Sequence, residues 1–399
     1  MLGKVSLTSI TARREFRLDP FKFDPDFSPL NGNTGVVQRA NVQWSEELRL
    51  HPSDPSAHWD WNAGFFFSTT GDRLDRFSDF FVPPLSLSGR EAISAEFDSD
   101  TYALFGELTR TVGEKLDVTL GLRLDDTVRE MKRVKTSTLG SPPPSSAHAD
   151  FFNVAPKLSF AYHPAESFVI YGSTGLGFKP GGFSAFVDPP RSPKFETEKL
   201  WASEIGLKFD SPDNKVSARA ALFYCDVWNY QVEQFAPASF DFTDSNAPRA
   251  RTMGAEAELT LRPVNGLELS GFVGYTHARL ESYTDPFTSV TVRDKRPPWV
   301  AEFNSGLAAQ YQHTSGLCAR LEYVLTGDTF SDPANTTAFE QPAYGLLNAR
   351  GGFQQKHWGV FLFGENLTDT RYYLKKIAPL KAGAPGRPQT FGVMATVRF

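Results

Sequence analysis

The sequence predicts an all-β chain, a transmembrane antiparallel up-and-down β-barrel, on three observations. The last ten residues alternate strictly between apolar and polar or small side chains and end on an aromatic residue. The same alternation recurs in other runs of about ten residues, the length that a tilted membrane-spanning strand requires. Short turn-forming segments alternate with long connections along the chain, as periplasmic turns alternate with outer loops in such barrels.

The terminal strand is the clearest single element. Phe391, Val393, Ala395, Val397 and Phe399 fall on one face of an extended strand. A chain that ends on such a strand and on Phe is typical of outer-membrane barrels. We interpret it as the barrel-closing strand, and Phe391, Val393, Val397 and Phe399 as an assembly signal for the barrel assembly machinery.

Three internal runs separate an apolar face from a polar one in the same way, at residues 116–125, 255–262 and 317–326. Strands of soluble proteins average about five or six residues, so the length of these runs favours a membrane barrel over a soluble β-rich domain. At about ten residues per strand the chain holds roughly sixteen strands. We expect them to form one domain over residues 1–399.

The connections between strands fall into two classes. Tight turns are predicted at residues 113–115, 164–167, 211–214, 263–266, 313–316 and 355–357. Long loops are predicted at residues 15–35, 70–96, 131–150, 179–195, 235–249, 282–299, 327–342 and 369–388. This alternation places both chain termini on the periplasmic side.

Composition excludes several classes of protein. Hydrophobic residues make up 40% of the chain and the mean hydropathy is −0.32, and no run approaches the ~18 apolar residues of a spanning helix. Aromatic residues at 14% fit the two girdles of a barrel surrounded by outer-membrane lipid and lipopolysaccharide. A net charge of −5 without a basic cluster argues against nucleic acid as a partner. Cys225 and Cys318 are predicted to be free thiols facing the lumen.

No catalytic or metal-binding pattern is present in the sequence. The glycine-rich residues 172–182 lack the strand–loop–helix context of a phosphate loop, and the seven histidines are dispersed. Glu256 and Glu258 share a lumen-facing side, where a polar barrel interior already explains them. We therefore predict that the chain is not an enzyme and uses no cofactor and no metal site.

Five segments carry a family resemblance. Phe363-Gly-Glu-Asn-Leu-Thr-Asp-Thr-Arg-Tyr-Tyr373, followed by Gly383-Ala-Pro-Gly-Arg-Pro-Gln-Thr-Phe-Gly392, resembles the C-terminal signature of TonB-dependent outer-membrane receptors. Residues 171–183, 195–208 and 252–258 match the same family in the same order. The resemblance covers nearly the whole chain.

The resemblance implies an active transporter of the bacterial outer membrane, with a barrel of about 22 strands around an N-terminal plug. It also implies uptake of a scarce solute such as a ferric siderophore, energised by the TonB complex. With roughly sixteen strands, we expect this chain to be the C-terminal barrel portion, without plug, TonB box or signal peptide. TonB is then a partner only if a plug domain is supplied. The alternatives are a passive porin-like channel and a non-functional receptor fragment.

In this family, ligands contact the apical loops and the upper inner wall, where aromatic rings and positive charges hold anionic chelates. Two groups of residues at loop bases are therefore candidate ligand contacts: Phe178, Lys179 and Phe183, and Arg293, Lys295, Arg296 and Trp299. The alternative is that they are girdle aromatics and solvated loop charges.

Overall fold

The computed structural model describes residues 5–24, 34–53, 59–82, 87–188, 192–236, 241–287, 289–377 and 382–398. They form one antiparallel sheet of seventeen strands and three separate two-stranded ribbons. The strands are β1 (Val5–Phe23), β2 (Thr34–Pro52), β3 (Trp59–Val82), β4 (Leu87–Val112), β5 (Leu116–Ser137), β6 (Ser145–Ala165), β7 (Phe168–Lys179), β8 (Gly182–Phe183), β9 (Lys194–Phe195), β10 (Glu198–Asp210), β11 (Val216–Ala236), β12 (Asp241–Leu261), β13 (Leu267–Thr284), β14 (Thr291–Lys295), β15 (Phe303–Gln312), β16 (Leu317–Thr326), β17 (Thr329–Phe330), β18 (Glu340–Gln341), β19 (Tyr344–Gln354), β20 (Trp358–Glu365), β21 (Tyr373–Ile377), β22 (Ala382–Pro385) and β23 (Thr390–Val397). A 3-10 helix covers Thr337–Phe339.

The sheet runs up and down in chain order, which confirms the predicted fold class. Each long strand pairs with the next long strand along the sequence, from β1 to β23. Apart from β14, which extends the upper end of β13, the sheet has sixteen strands. The ribbons β8–β9, β17–β18 and β21–β22 lie in the connections. Within the described residues, β1 pairs only with β2 and β23 only with β20.

Alternation sets two faces, which we call outer and inner. Leu120 is 57% exposed and lies between Leu108 and Leu158 of the adjacent strands. Thr119 and Arg123 occupy the opposite, inner face of β5, where Thr119 exchanges a hydrogen bond of 2.8 Å with a threonine of β4. The outer face is therefore apolar and open, as expected of a wall in contact with lipid.

The outer face of β1 departs from this pattern. Ser9, Thr11, Arg13 and Glu15 take its outer positions. The Ser9 and Thr11 hydroxyls donate to the Glu46 carboxylate at 2.6 and 2.5 Å, and Arg13 pairs with Glu15 at 2.6 Å. The polar groups of this strip thus satisfy one another.

Several predicted loops are wrong because the strands continue far beyond the length of a membrane crossing. Residues 70–96 were expected to form a loop, but β3 and β4 keep their pairing from Thr70↔Ser99 to Val82↔Leu87. The same extension shortens the loops predicted at 15–35, 131–150 and 235–249. Outside lipid both faces of a hairpin can be polar, so these extensions lack the alternation that identifies a membrane strand.

Buried side chains gather at the upper inner side of the sheet. One cluster contains Val227, Val232, Ala247, Ala250, Leu280 and Tyr283, and a second contains Ile93, Ala95 and Ala185. In the described part of the chain, no helix has the length and apolarity needed to cross a membrane.

Candidate ligand-binding surface

A loop folds back onto the inner face of the sheet. This inner loop (residues 180–188) follows β7 and contains β8. Ala185 is 3% exposed and packs with Ile93 and Ala95 of β4. At the other side, the Thr243 hydroxyl donates to the Ser184 hydroxyl at 2.7 Å. The inner loop therefore crosses the inner wall from β12 to β4.

Ion pairs and a hydrogen bond hold the inner loop to β5. The Asp188 carboxylate accepts hydrogen bonds from Arg133 at 2.5 Å and from Lys135 at 2.6 Å. Burial disfavours ionisation of Asp188, but the hydrogen bonds from Lys135 and Arg133 outweigh it and lower its pKa. Arg129 donates to the Gly181 carbonyl at 2.7 Å. The loop is thus fixed to three cations of one strand, β5.

A fourth cation on the inner wall is held between aromatic rings. The Arg76 guanidinium lies 5.5 Å from the centre of the Phe23 ring and 5.4 Å from that of Phe186. Arg76 is only 3% exposed. Because a desolvated cation–π contact contributes about 2 kcal/mol or more, Phe186 adds to the attachment of the inner loop.

Five side chains, from β7, the β11–β12 hairpin, the segment before β15 and β21, interact with one another. Lys375 donates to Glu233 at 3.0 Å, and its ammonium lies 5.7 Å from the centre of the Trp299 ring. Glu233 and Lys179 both act electrostatically on Asp244. We call Lys179, Asp244, Glu233, Lys375 and Trp299 the upper charged row. It combines two cations, two neighbouring carboxylates and one exposed aromatic ring.

The connection before β15 is fixed against β17. Arg296 pairs with Asp328 at 2.9 Å and stacks on Phe330 at 4.9 Å. The Arg296 backbone N–H donates to the Asn335 side chain at 2.8 Å, and the Trp299 backbone N–H donates to the Phe330 carbonyl at 2.9 Å. These contacts hold the Trp299 backbone in place while its side chain stays 41% exposed.

The candidate residues from the sequence are only partly brought together. Lys179 and Trp299 belong to the upper charged row. Arg296 stacks on Phe330, whose backbone carbonyl accepts a hydrogen bond from the Trp299 backbone N–H. Phe178 takes an outer-face position of β7. The remaining three are a half-buried Phe183 in β8, an exposed Arg293 and a half-buried Lys295. Ligand contact by any of the seven stays a prediction.

Sequence reasoning missed the charged residues of the inner wall. Arg133 and Lys135 continue the inner-face alternation of β5 beyond residue 125, and extending that pattern would have found them. Glu233 and Lys375 lie 142 residues apart, so no local pattern relates them. Asp188 lies in a loop and carries no periodic signal.

The chemistry available at this surface is that of charges and rings. Among the described residues, no group of three or more His, Cys, Asp or Glu side chains is arranged to hold a metal ion. Cys225 and Cys318 are free thiols, as predicted. The charged and aromatic side chains described above offer stacking and charged hydrogen bonds to a ligand.

The terminal strand lies at one edge of the sheet. Phe391, Val393 and Val397 are 67%, 67% and 64% exposed and alternate on the outer face of β23, with Val393 opposite Leu362 of β20. Phe399 lies outside the described residues. The role of this strand as an assembly signal stays a prediction.

Comparison with known proteins places these features in a family. A family model described as "TonB dependent receptor-like, beta-barrel" matches residues 6–367. The pesticin receptor of Yersinia pestis is 25% identical over 345 residues, which are 84% of this chain and 48% of that protein. The catecholate siderophore receptor Fiu of Escherichia coli K12 is 24% identical over 337 residues, 78% of this chain and 43% of Fiu. The chain thus spans about half the length of these relatives.

Solved structures share the fold. The ferric yersiniabactin uptake receptor FyuA of Yersinia pestis superposes with a TM-score of 0.84 at 20% identity, covering 99% of this chain and 59% of FyuA. The siderophore receptor PiuA of Acinetobacter baumannii gives a TM-score of 0.77 at 18% identity, covering 98% of this chain and 61% of PiuA. With its up-and-down sheet, apolar outer face and matching family model, the chain belongs to the TonB-dependent receptor-like β-barrel family of the bacterial outer membrane.

Proposed function

We propose that this barrel takes part in the uptake of a ferric siderophore, with energy from the TonB complex delivered through a plug domain. The observation that carries the proposal is the upper charged row, in which Lys375 joins the aromatic ring of Trp299 to the acidic Glu233. Many ferric chelates combine aromatic ligand groups with net negative charge. A ring beside an ammonium group suits both properties.

The relatives support this assignment by their names. They include a catecholate siderophore receptor, and the structural neighbours include a ferric yersiniabactin uptake receptor. As further partners we propose lipid and lipopolysaccharide against the apolar outer face, and the barrel assembly machinery at β23. The exposed apolar outer positions support the proposal of these partners.

One observation favours the alternative of a passive channel. Porins fold a loop inward and line the pore with clustered charges, and the inner loop lies on an inner wall that carries Arg133 and Lys135. A steady, weakly selective conductance of the reconstituted chain in planar bilayers, together with no affinity for ferric chelates, would support the channel over the receptor.

Binding of a defined chelate tests the receptor function. Ferric tris(2,3-dihydroxybenzoate) is titrated into the purified chain while tryptophan fluorescence is recorded, with the iron-free ligand as reference. We expect quenching by the ferric complex, a smaller signal for Trp299→Phe, and about tenfold weaker binding for Lys375→Gln. Lys215→Gln, in a periplasmic turn, is the matched control and should bind like the wild type. Equal binding by Lys375→Gln and wild type would refute the role of the upper charged row.

A further inference from the structure

The inner loop inserts a carboxylate into a strongly cationic part of the wall. The side chains of Arg133 and Lys135 are only 2% and 7% exposed, whereas that of Asp188 is 35% exposed. The two Asp188 oxygens are shared between the cations, one at 2.5 Å from Arg133 and the other at 2.6 Å from Lys135. The cations are therefore buried, while the carboxylate that covers them is reachable from solvent.

The cations of this site are not fully matched by the acidic groups. Lys135 also pairs with Glu91 at 2.8 Å, so among the described residues Arg133 and Lys135 pair with two carboxylates, those of Asp188 and Glu91, while Arg129 donates to the Gly181 carbonyl. The Nε groups of Arg129 and Arg133 are buried and have no hydrogen-bond acceptor among the described residues. Since a buried charged donor without an acceptor is costly, the site has unused capacity for further anionic oxygens.

We propose that Arg133 and Lys135, with Arg129 beside them, form a binding site for small polycarboxylate anions, and that Asp188 occupies this site as an internal substitute. A carboxylate-bearing solute replaces Asp188 and releases the inner loop from the wall. The inference rests on the proposed function, because it names the chemical group by which the transported chelate is recognised below the upper charged row.

The exchange is physically reasonable because one carboxylate replaces another. The hydrogen bonds to Arg133 and Lys135 are remade with the solute, and a second carboxylate of the solute can reach the unused Nε groups. The loss is the apolar packing of Ala185 against β4 and the contact of Phe186 with Arg76. Asp188 itself shows that a planar two-oxygen group fits, which favours carboxylates over other anions.

Citrate, a tricarboxylate, is the probe for this site. Its binding to the purified full chain is measured by calorimetry at constant ionic strength. Asp188→Asn removes the internal competitor and should bind citrate at least tenfold more tightly than the wild type, whereas Asp188→Glu, which keeps a carboxylate, should not. Arg133→Gln combined with Lys135→Gln should weaken citrate binding at least tenfold. Asp213→Asn, which removes a paired carboxylate from a periplasmic turn, is the control and should leave citrate binding unchanged.

A cross-link tests the movement of the loop. In a background of Cys225→Ser and Cys318→Ser, the pair Ala95→Cys and Ala185→Cys is oxidised to tie the inner loop to β4. Citrate binding should be lost in the oxidised protein and return on reduction. The proposal is overturned if Asp188→Asn binds citrate no more tightly than the wild type, or if the oxidised protein binds it unchanged. Far-UV circular dichroism of every variant identifies misfolding.

These results are separable from the test of the proposed function. Citrate affinity reports on the inner wall, and quenching by ferric tris(2,3-dihydroxybenzoate) reports on Trp299. Loss of quenching with citrate binding retained would reject the siderophore assignment alone. Quenching without any citrate effect of Asp188→Asn would reject the carboxylate site alone.

Discussion

Aromatic rings cover glycines on neighbouring strands throughout the sheet. Among the described residues, directly opposed pairs that place a ring where the glycine lacks a side chain include Phe23–Gly35, Phe80–Gly89, Phe105–Gly64, Phe160–Gly172, Tyr171–Gly206, Phe223–Gly254, Phe272–Gly306, Phe361–Gly352 and Phe363–Gly392. A glycine in a strand leaves an unpacked gap, and a cross-strand ring fills it. The high content of both residues, 35 Phe and 31 Gly, therefore has a structural reason, chiefly on the inner face, where all of these pairs except Phe160–Gly172 lie.

Filling one of these gaps should destabilise the barrel. A Cβ at Gly254 would overlap the ring of Phe223 and the backbone carbonyl of Tyr275, so Gly254→Ala should lower the free energy of unfolding by about 1–3 kcal/mol. Gly274→Ala, on the adjacent strand, is the matched control because its Cβ would meet nothing within 4 Å. Urea unfolding in lipid vesicles measures both. Equal stability of the two variants would contradict the packing argument.

The assignment of faces makes a second prediction at single residues. Leu120→Arg, on the outer face, should lower the free energy of unfolding in lipid by about 2–4 kcal/mol, because lipid near the bilayer midplane disfavours charge. Thr119→Arg, on the inner face, should cost much less. Leu259→Arg and Thr260→Arg repeat the comparison on β12. If both members of a pair lose the same stability, the faces are wrongly assigned.

Among the elements, the inner loop differs most from what its sequence indicates. Residues 179–195 contain glycines and prolines and were expected to be an outer loop. The chain instead turns inward, because Ala185 can be buried against β4 and Asp188 finds two cations on β5. Both partners lie on distant strands, so the inward course depends on the sheet that the rest of the chain forms.

Attachment of the inner loop should depend on acidity. The pKa of Asp188 in the folded protein lies below its ordinary value of 3.8. Ionised Asp188 therefore stabilises the attached loop above about pH 4, and this contribution is lost as the pH falls through the lowered folded pKa. Hydrogen exchange of residues 181–188, corrected for intrinsic rates, should show loss of protection in that acidic range.

Asp188→Asn is the control for this dependence. It cannot ionise, so its loop should be weakly protected at every pH and show no transition of its own. An unchanged acidic transition in Asp188→Asn would assign the loss of protection to another group.

At the scale of the whole molecule, the sequence predicted the architecture better than the site. Period-two alternation in runs such as residues 116–125 is imposed by lipid on one side and water on the other, so it can be seen without any tertiary contact. The strand extensions lack this alternation, because their outer face mixes charged and aromatic residues and the inner loop buries part of their inner face, so they escaped detection. The upper charged row depends on contacts such as Lys375 to Glu233, which appear only once distant hairpins stand side by side.

The predicted orientation of the chain, with long hairpins outside the cell and short turns in the periplasm, can be tested by labelling. In a background of Cys225→Ser and Cys318→Ser, Leu139→Cys at an exposed outer hairpin should react with a membrane-impermeant maleimide on intact cells. Glu114→Cys, in the short turn between β4 and β5, should react only after the outer membrane is permeabilised. The chain is exported with a cleavable signal peptide for this experiment. The reverse labelling pattern would invert the topology.

The long hairpins determine which parts of the protein are accessible from outside the cell. At ~3.3 Å per residue and a tilt of roughly 45°, the 26 residues of β4 rise about 60 Å, twice the ~30 Å thickness of the hydrocarbon core. With the β4–β5 turn at the periplasmic surface, the paired parts of β3 and β4 therefore extend about 30 Å beyond the hydrocarbon core. We expect antibodies and bacteriophages to reach the extended parts of β3 and β4 on intact cells, so substitutions at exposed positions such as Phe77 should change antigenicity while the membrane-spanning part stays the same.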